Sequence, residues 1–563
     1  MNAFIHTHPT EKSQDNGVLE AMSSPPSSSP GAGRTAVVIG GGYVGAYTAY
    51  CLRRDGWSVR LLERHDDGVG LEMSFLNGGL LCPSLTLPWS NAGALKLVAK
   101  SYLDAAKASL SVFNAGEGRD GGGTTIAVGQ AAFADLHFWR WMARFFREII
   151  PGNVRRNHRA SYELADYALR MMEGGPVPPE DYGRWAQGSL QTCSTEAMVR
   201  STLEAVINEG HALTAAETEL LEPALAGLQR PIVGSVHTPA DSSGDIHAYT
   251  RGLIRILTAE SAAEYAESEA VVASAEGSVE EGSVFGGAEG VGAVGFGFDL
   301  RCGEAGNVQS YEWADDADDA SLEADGGGGR RLAAVVTADG CRVSGDAFVV
   351  AAGNGAEDIA SLAGDCLLTY PIKGYVLEVP RASGRPALQH NVVDDVNKVY
   401  VSPINEGSAV RISGFAEFGS STNPDWAADP TRWRQLLRMA EDFLPDGYLA
   451  HDLEPGYQHF TAEKAGEGKG GLQGAAGGEH PSVTVHGCLR SQTPDDLPVI
   501  GQSPRCANVW YNAAHGHIGW TRGAGSAHLL ADLMAHRTPA LDAAPFSPAR
   551  FGGAARRLLR LVS

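Results

Sequence analysis

Apolar and polar positions alternate in blocks along this chain, and the blocks predict its elements. Ala36–Ile39 is a short apolar run of strand type, and Val44–Arg53 has helical spacing. Trp57–Leu62 reads as a second strand. Phe133–Ile150 repeats large apolar residues at helical intervals between Arg140, Arg144 and Arg147, which predicts an amphipathic helix. Ala347–Ala351 and Val376–Val379 read as buried strands. Thr431–Phe443, just after Pro430, and Gly525–Met534 read as helices. Strands alternating with helices predict an α/β sheet accompanied by a second, mixed domain.

Three stretches break the pattern. Asn114–Thr124 is Gly-rich, and Glu276–Gly329 is rich in Gly and acid and contains Asp315-Asp316-Ala317-Asp318-Asp319. Glu463–Glu479 is Gly-rich and polar. Such compositions bury too little apolar surface to offset chain entropy, so flexible insertions are expected at 276–329 and 463–479. The first 33 residues, rich in Ser and Pro, read as a disordered tail. They carry Glu11, Asp15 and Glu20 and no Arg before Arg34, unlike a secretory signal or a mitochondrial presequence.

Length, charge and cysteines narrow the class. A chain of 563 residues exceeds one compact core. A net charge of −23 repels nucleic-acid phosphates, so no nucleic-acid partner is expected. The eight cysteines include no CxxC pair, which suggests neither a metal site nor a disulfide framework and fits a reducing, cytoplasmic setting. No apolar run reads as a membrane span. The aromatic helix has two readings, domain core under a basic edge or a peripheral membrane contact.

The first strand leads into Gly40-Gly41-Gly42-Tyr43-Val44-Gly45, which fits GxGxxG between a strand and a helix. The pattern calls for a tight turn at Gly40, backbone approach to a pyrophosphate at Gly42 and close helix packing at Gly45. The helix N-terminus offers free N–H groups to the phosphates. Glu63, ending the second strand, sits where a carboxylate accepts from ribose hydroxyls, which disfavours a 2′-phosphate. Val38, Ile39, Gly41, Tyr43, Val44 and Arg64 complete this dinucleotide set. NAD and FAD both use this device, and the motif alone does not choose.

Further residues carry a family resemblance. Met73-Ser74-Phe75-Leu76-Asn77-Gly78-Gly79, Cys82-Pro83 and Pro88-Trp89-Ser90 resemble the segment after the ribose carboxylate in the D-amino acid oxidase superfamily, most closely in the bacterial D-amino acid dehydrogenases. Asp241-Ser242-Ser243-Gly244-Asp245, Val349–Gly353, Tyr370–Tyr375 and Arg411–Glu417 are similar to later parts of that family. So are Gly487-Cys488-Leu489-Arg490, Thr493–Gly501 and His515-Gly516-His517-Ile518-Gly519-Trp520-Thr521. Two departures are Ser491 where the family usually has Pro, and the acidic insertion.

The resemblance implies a Rossmann-type FAD-binding domain, 34–110 with 241–365 and 485–551. It also implies an α+β substrate domain on a mixed or antiparallel sheet, 125–240 with 366–484. FAD would lie against Ser74, Asn77, Gly78, Gly79, Ala352, Gly353, Gly516, Ile518 and Gly519, held non-covalently, although His65 and Cys82 are chemically able to tether it. The implied reaction is oxidative deamination of a D-amino acid to a 2-oxo acid by hydride transfer from Cα to flavin N5, with quinone or O2 as electron acceptor. Arg490 would hold the substrate carboxylate, since a guanidinium matches it with two hydrogen bonds. His515 and His517 are candidates for tuning amine or flavin protonation. Tyr375 and Tyr400 are candidates for capping the substrate, against a packing role; Lys373 and Glu417 either line the site or pair at strand ends. Alternatives are a related oxidase of glycine, sarcosine or D-hydroxyproline, or a flavin-binding subunit without turnover. An NAD enzyme would leave the C-terminal resemblance without purpose.

Overall fold

The computed structural model describes residues 31–91, 93, 126–207, 209–276, 297–314, 330–450, 458–459 and 483–551. Residues 1–30, the Gly-rich stretch 114–124, both ends of the acidic stretch and the stretch 463–479 lie outside them.

Two large sheets organise the rest. The first has six strands in the order Val499–Gln502, Val509–Ala513, Ala347–Val350, Thr35–Ile39, Ser58–Glu63 and Phe298–Cys302. All neighbours are parallel except the first pair. Its central strands are buried on both faces, as strands covered by helices must be. The helices Tyr43–Arg54, Ile246–Glu276 and Gly519–Met534 share one core with it, through Tyr47, Tyr249, Leu253, Ala527 and Leu530. This is the Rossmann-type α/β layer.

The second sheet is mixed. Thr484–Gln492, Tyr370–Pro380, Ala409–Phe418, Val399–Ile404 and Asn391–Asp394 run antiparallel in that order, and Asn391–Asp394 then pairs in parallel with Ser189–Cys193. The helix Pro430–Glu441 covers one face through Trp433, Leu436 and Leu437.

The structure corrects two expectations. Phe133–Ile150 is not one helix: Asp135 caps a new start by accepting from the His137 N–H, so the helix is Leu136–Glu148, and Pro151 opens the next, Pro151–Glu173. The expected loop 276–329 contains structure. Phe298–Cys302 extends the parallel sheet, and Val308–Trp313 joins Leu332–Thr337 and Arg342–Ser344 in a small antiparallel sheet. Averaged composition hid these strands, because the Gly- and acid-rich flanks diluted short apolar runs. Among the described residues, no helix is long and apolar enough to cross a membrane.

Candidate active site

A cavity of about 330 Å³ runs from the parallel sheet to the mixed one. At one end the strand Thr35–Ile39 turns into its helix. Gly40 has φ +111°, and a Cβ there would sit 2.5 Å from the Ala351 carbonyl oxygen. A Cβ on Gly45 would overlap the Gly40 carbonyl oxygen, so the helix packs closer to the turn than any larger residue allows. Gly42 is the N-cap, and neither a capping side chain nor an acidic residue closes the first turn. That leaves a patch of amide donors and partial positive charge facing the cavity. Ser74 Oγ accepts from the Tyr43 N–H at 2.9 Å. Glu63 is buried and accepts from the Gly41 N–H at 2.8 Å and the His65 N–H at 3.0 Å. Burial raises its pKa.

Of the residues singled out for the cofactor, Ile39, Gly40, Gly42, Tyr43, Val44, Glu63, Arg64, Ser74, Asn77, Ala352, Gly353, Gly516 and Gly519 line this cavity. Val38, Gly41, Gly45, Gly78, Gly79 and Ile518 do not; they lie behind or beside it. Among the described residues, three polar atoms at its wall, Ser491 Oγ, Asn512 Oδ1 and Trp520 Nε1, are buried without a hydrogen-bond partner. Buried polar atoms without partners are costly, so a polar ligand belongs here. An extended dinucleotide meets the chemistry of the whole wall: a carboxylate for ribose, amides for phosphate, orphan donors and acceptors for a polar ring.

Beyond that end, the mixed sheet presents one face. Cys488 lies opposite Gly374, Arg490 opposite Ile372, and His486 opposite Val376. Val376 in turn lies opposite Ser413, and Ser413 opposite Tyr400. Directly opposed residues point to the same side, so Arg490 and Tyr400 share this face. The Asn77–Gly79 loop packs on it. Ser402 Oγ donates to the Gly78 carbonyl, and a Cβ on Gly78 would lie 2.7 Å from Ser413 Oγ.

Arg490 donates from Nη1 to the Phe415 carbonyl at 2.6 Å, and its guanidinium lies 5.7 Å from the Trp89 ring centroid. Gly374 leaves the space it occupies, because a Cβ there would overlap it. No carboxylate pairs with Arg490 among the described residues. The other two Lys and Arg side chains of this sheet each have one, Lys373 with Asp425 at 2.7 Å and Arg411 with Glu378 at 2.6 Å, and so does Arg432 on the covering helix, with Glu417.

Tyr375 points to the opposite side. It is fully buried in the core under the helix Pro430–Glu441, edge-on to Phe415, and donates to Glu417 Oε2 at 2.9 Å. It does not meet Arg490's face. Of the candidate tethers, His65 lines the cavity and bonds Glu72 at 3.0 Å, while the buried Cys82 thiol has its pKa raised by desolvation.

The two histidines flanking Gly516 differ. His515 is buried and bonds Ser526 Oγ at 2.8 Å. Desolvation, helped by Arg522, lowers its pKa to about 3, so it is neutral. His517 stacks on Trp89 at 4.8 Å and lies 3.6 Å from the Asp496 carboxylate. Trp89 and Asp496 carried no expected role beyond the resemblance.

A family model described as FAD dependent oxidoreductase matches residues 35–295 and 319–533. A D-amino acid dehydrogenase of Methylobacterium radiotolerans is 27% identical over 518 residues, 89% of this chain and 96% of that protein. Another, of Paramagnetospirillum magneticum, is 27% identical, covering 90% of this chain and 96% of that protein. Among solved structures, glycine oxidase from Geobacillus kaustophilus superposes with a TM-score of 0.53 at 18% identity, over 92% of this chain and 99% of that one. L-proline dehydrogenase from P. horikoshii superposes with 0.53 at 14%, over 93% and 98%. At such identities the superpositions carry the fold alone.

Proposed function

The chain belongs to the family of FAD dependent oxidoreductases, and from that premise we propose that it deaminates D-amino acids oxidatively to 2-oxo acids. The observation that carries the substrate class is Arg490, a half-buried cation beside the cavity that has no carboxylate partner among the described residues, while the other Lys and Arg side chains of its sheet each have one. A substrate α-carboxylate supplies the missing partner. The extended likeness to D-amino acid dehydrogenases supports the D configuration.

When bound, FAD supplies the acceptor for the hydride leaving the substrate Cα. Ile39–Val44, Glu63 and Ser74 would hold its nucleotide end, and Asn512, Gly516 and Gly519 its ring end. The protein's share is positioning. Arg490 fixes the carboxylate, Trp89 and Tyr400 wall the space beside it, and the Asn77–Gly79 loop closes the sheet face against water. The imino acid left after hydride loss hydrolyses to the 2-oxo acid and ammonia.

Anaerobic addition of D-alanine to the purified holoenzyme tests this. Flavin absorbance should bleach with D-alanine and persist with L-alanine. A spectrum indifferent to both isomers would transfer the reading to glycine, sarcosine or cyclic amines.

We also propose a peripheral contact with an anionic membrane, where a quinone takes the electrons. Leu136, Trp139, Phe146 and Ile150 are 65%, 48%, 50% and 55% exposed, beside exposed Arg140 and Arg147. An apolar strip edged by arginine suits a lipid interface. Sedimentation with phosphatidylglycerol vesicles should carry the protein down, and Trp139→Ala/Phe146→Ala should leave it in solution. Equal sedimentation of both proteins would remove this reading.

A further inference from the structure

His517 sits between two fixed groups. Its ring stacks on Trp89, whose other neighbour is the Arg490 guanidinium. Its Nδ1 is buried and lies 3.6 Å from Asp496 Oδ1, an ion-pair rather than a hydrogen-bond separation. A lone pair on Nδ1 would face the carboxylate's own lone pairs, so Nδ1 carries the proton. Nε2 has no protein partner among the described residues. Because His517 lines the cavity, Nε2 is the nitrogen left to a ligand.

Asp496 is built into place. It is buried, with φ +62°, a conformation that a non-glycine residue keeps only when its surroundings impose it. Its carboxylate accepts from the Trp89 N–H at 3.1 Å and from Gln492 Nε2 at 2.5 Å. Arg522, also buried, donates to its carbonyl at 2.6 Å. One side chain thus ties the Trp89 segment to the histidine loop.

We propose that His517 takes a proton from the substrate ammonium and that Asp496 is the positioning residue that orients it. This rests on the amino acid reading above. Hydride loss from Cα needs a neutral amine, whose nitrogen lone pair forms the C=N bond. One N–H bond of the ammonium breaks, its electron pair stays on nitrogen, and the proton binds Nε2. The imidazolium so formed keeps Nδ1–H towards the Asp496 carboxylate. The charged groups around His517 are Asp496, Arg522 at 3.9 Å from the same carboxylate oxygen, and Arg490 across Trp89. His515, two residues away, is neutral.

The test is the rate of flavin reduction by D-alanine in the holoenzyme across pH, for parent, His517→Gln and Asp496→Asn. His517→Gln should slow reduction by about 10²-fold at pH 7 and lose the parent's acid limb, with the defect shrinking as pH approaches the substrate amine's own pKa. Asp496→Asn should move the acid limb to lower pH, because removing a nearby negative charge disfavours imidazolium. If Asp496→Asn fails to retain FAD, His517→Gln decides alone. Histidine 15N spectra of the parent supply a readout without turnover: the signal missing in His517→Gln should report the Nδ1–H tautomer. A His517→Gln variant with parental rate and limb, or an Nε2–H tautomer, overturns the proposal. A parent that D-alanine never bleaches overturns the amino acid reading instead, and the proposal falls with it.

Discussion

The glycine-turn end of the cavity and the region beyond its opposite end are made of different material. At the glycine-turn end two short segments one helix apart, 39–44 and 62–65, form much of the wall, and at the turn its shape comes from backbone held where side chains are missing. Beyond the cavity's opposite end stand side chains brought together from distant parts of the chain, Trp89, Tyr400, Arg490, Asp496 and His517, of which His517 lines the cavity. A backbone cradle fails when atoms are added. A side-chain wall fails when atoms are removed, and then only in the function of the group lost.

Gly45→Ala presses hardest on that contrast. The added methyl meets the Gly40 carbonyl oxygen, a backbone atom that cannot swing aside as a flexible side chain would. The variant should purify colourless or fail to accumulate, as visible absorbance will show. Arg490→Ala should do the reverse. It keeps the flavin spectrum and raises KM for D-alanine by about 10²-fold, the order of a lost charge-assisted pair, with kcat less affected. Loss of flavin from Arg490→Ala would blur the division between the two ends.

His515 sharpens the contrast with His517. Its pKa is about 3 in the folded protein against about 6.5 unfolded. Below pH 6.5 the unfolded chain takes up a proton that the native site refuses. This site's stability is therefore intact above pH 6.5 and is lost as pH falls towards 3. Thermal melts should show the parent losing on the order of 3 kcal/mol from this site by pH 4.5, and His515→Gln losing less over the same interval. Tyr375→Phe should have the smallest effect. It removes the hydroxyl bonded to Glu417, costing about 1 kcal/mol, and leaves KM unchanged because the ring faces away from Arg490. A large KM change would put Tyr375 back in the site.

Much of the cavity's glycine-turn end could be read from sequence because its parts are neighbours in the chain. Gly40, Gly42 and Gly45 and a carboxylate one strand later describe a cradle by spacing alone. The strands Phe298–Cys302 and Val308–Trp313 could not be read, because Gly- and acid-rich flanks masked short apolar runs whose stability comes from pairing partners far away. Tyr375 and Arg490 both stood out as residue types suited to a substrate. Their strands are adjacent, and register, which no local pattern reveals, sets Arg490 opposite Ile372 and Tyr375 opposite Gly487, so the two side chains face opposite sides.

The sequence by itself determined the elements whose signals are local: the glycine turn, its flanking strands and helix, the Glu63 carboxylate and the guanidinium at 490. Tertiary structure decided which side chains meet. It gave Glu417 to Tyr375 and left Arg490 without a carboxylate among the described residues. It buried His515 as a neutral ring and set His517 beside Asp496 and Trp89. The physical reason is that dihedral preference and hydrophobic period act over a few residues, whereas burial, charge pairing and sheet register depend on partners hundreds of residues away.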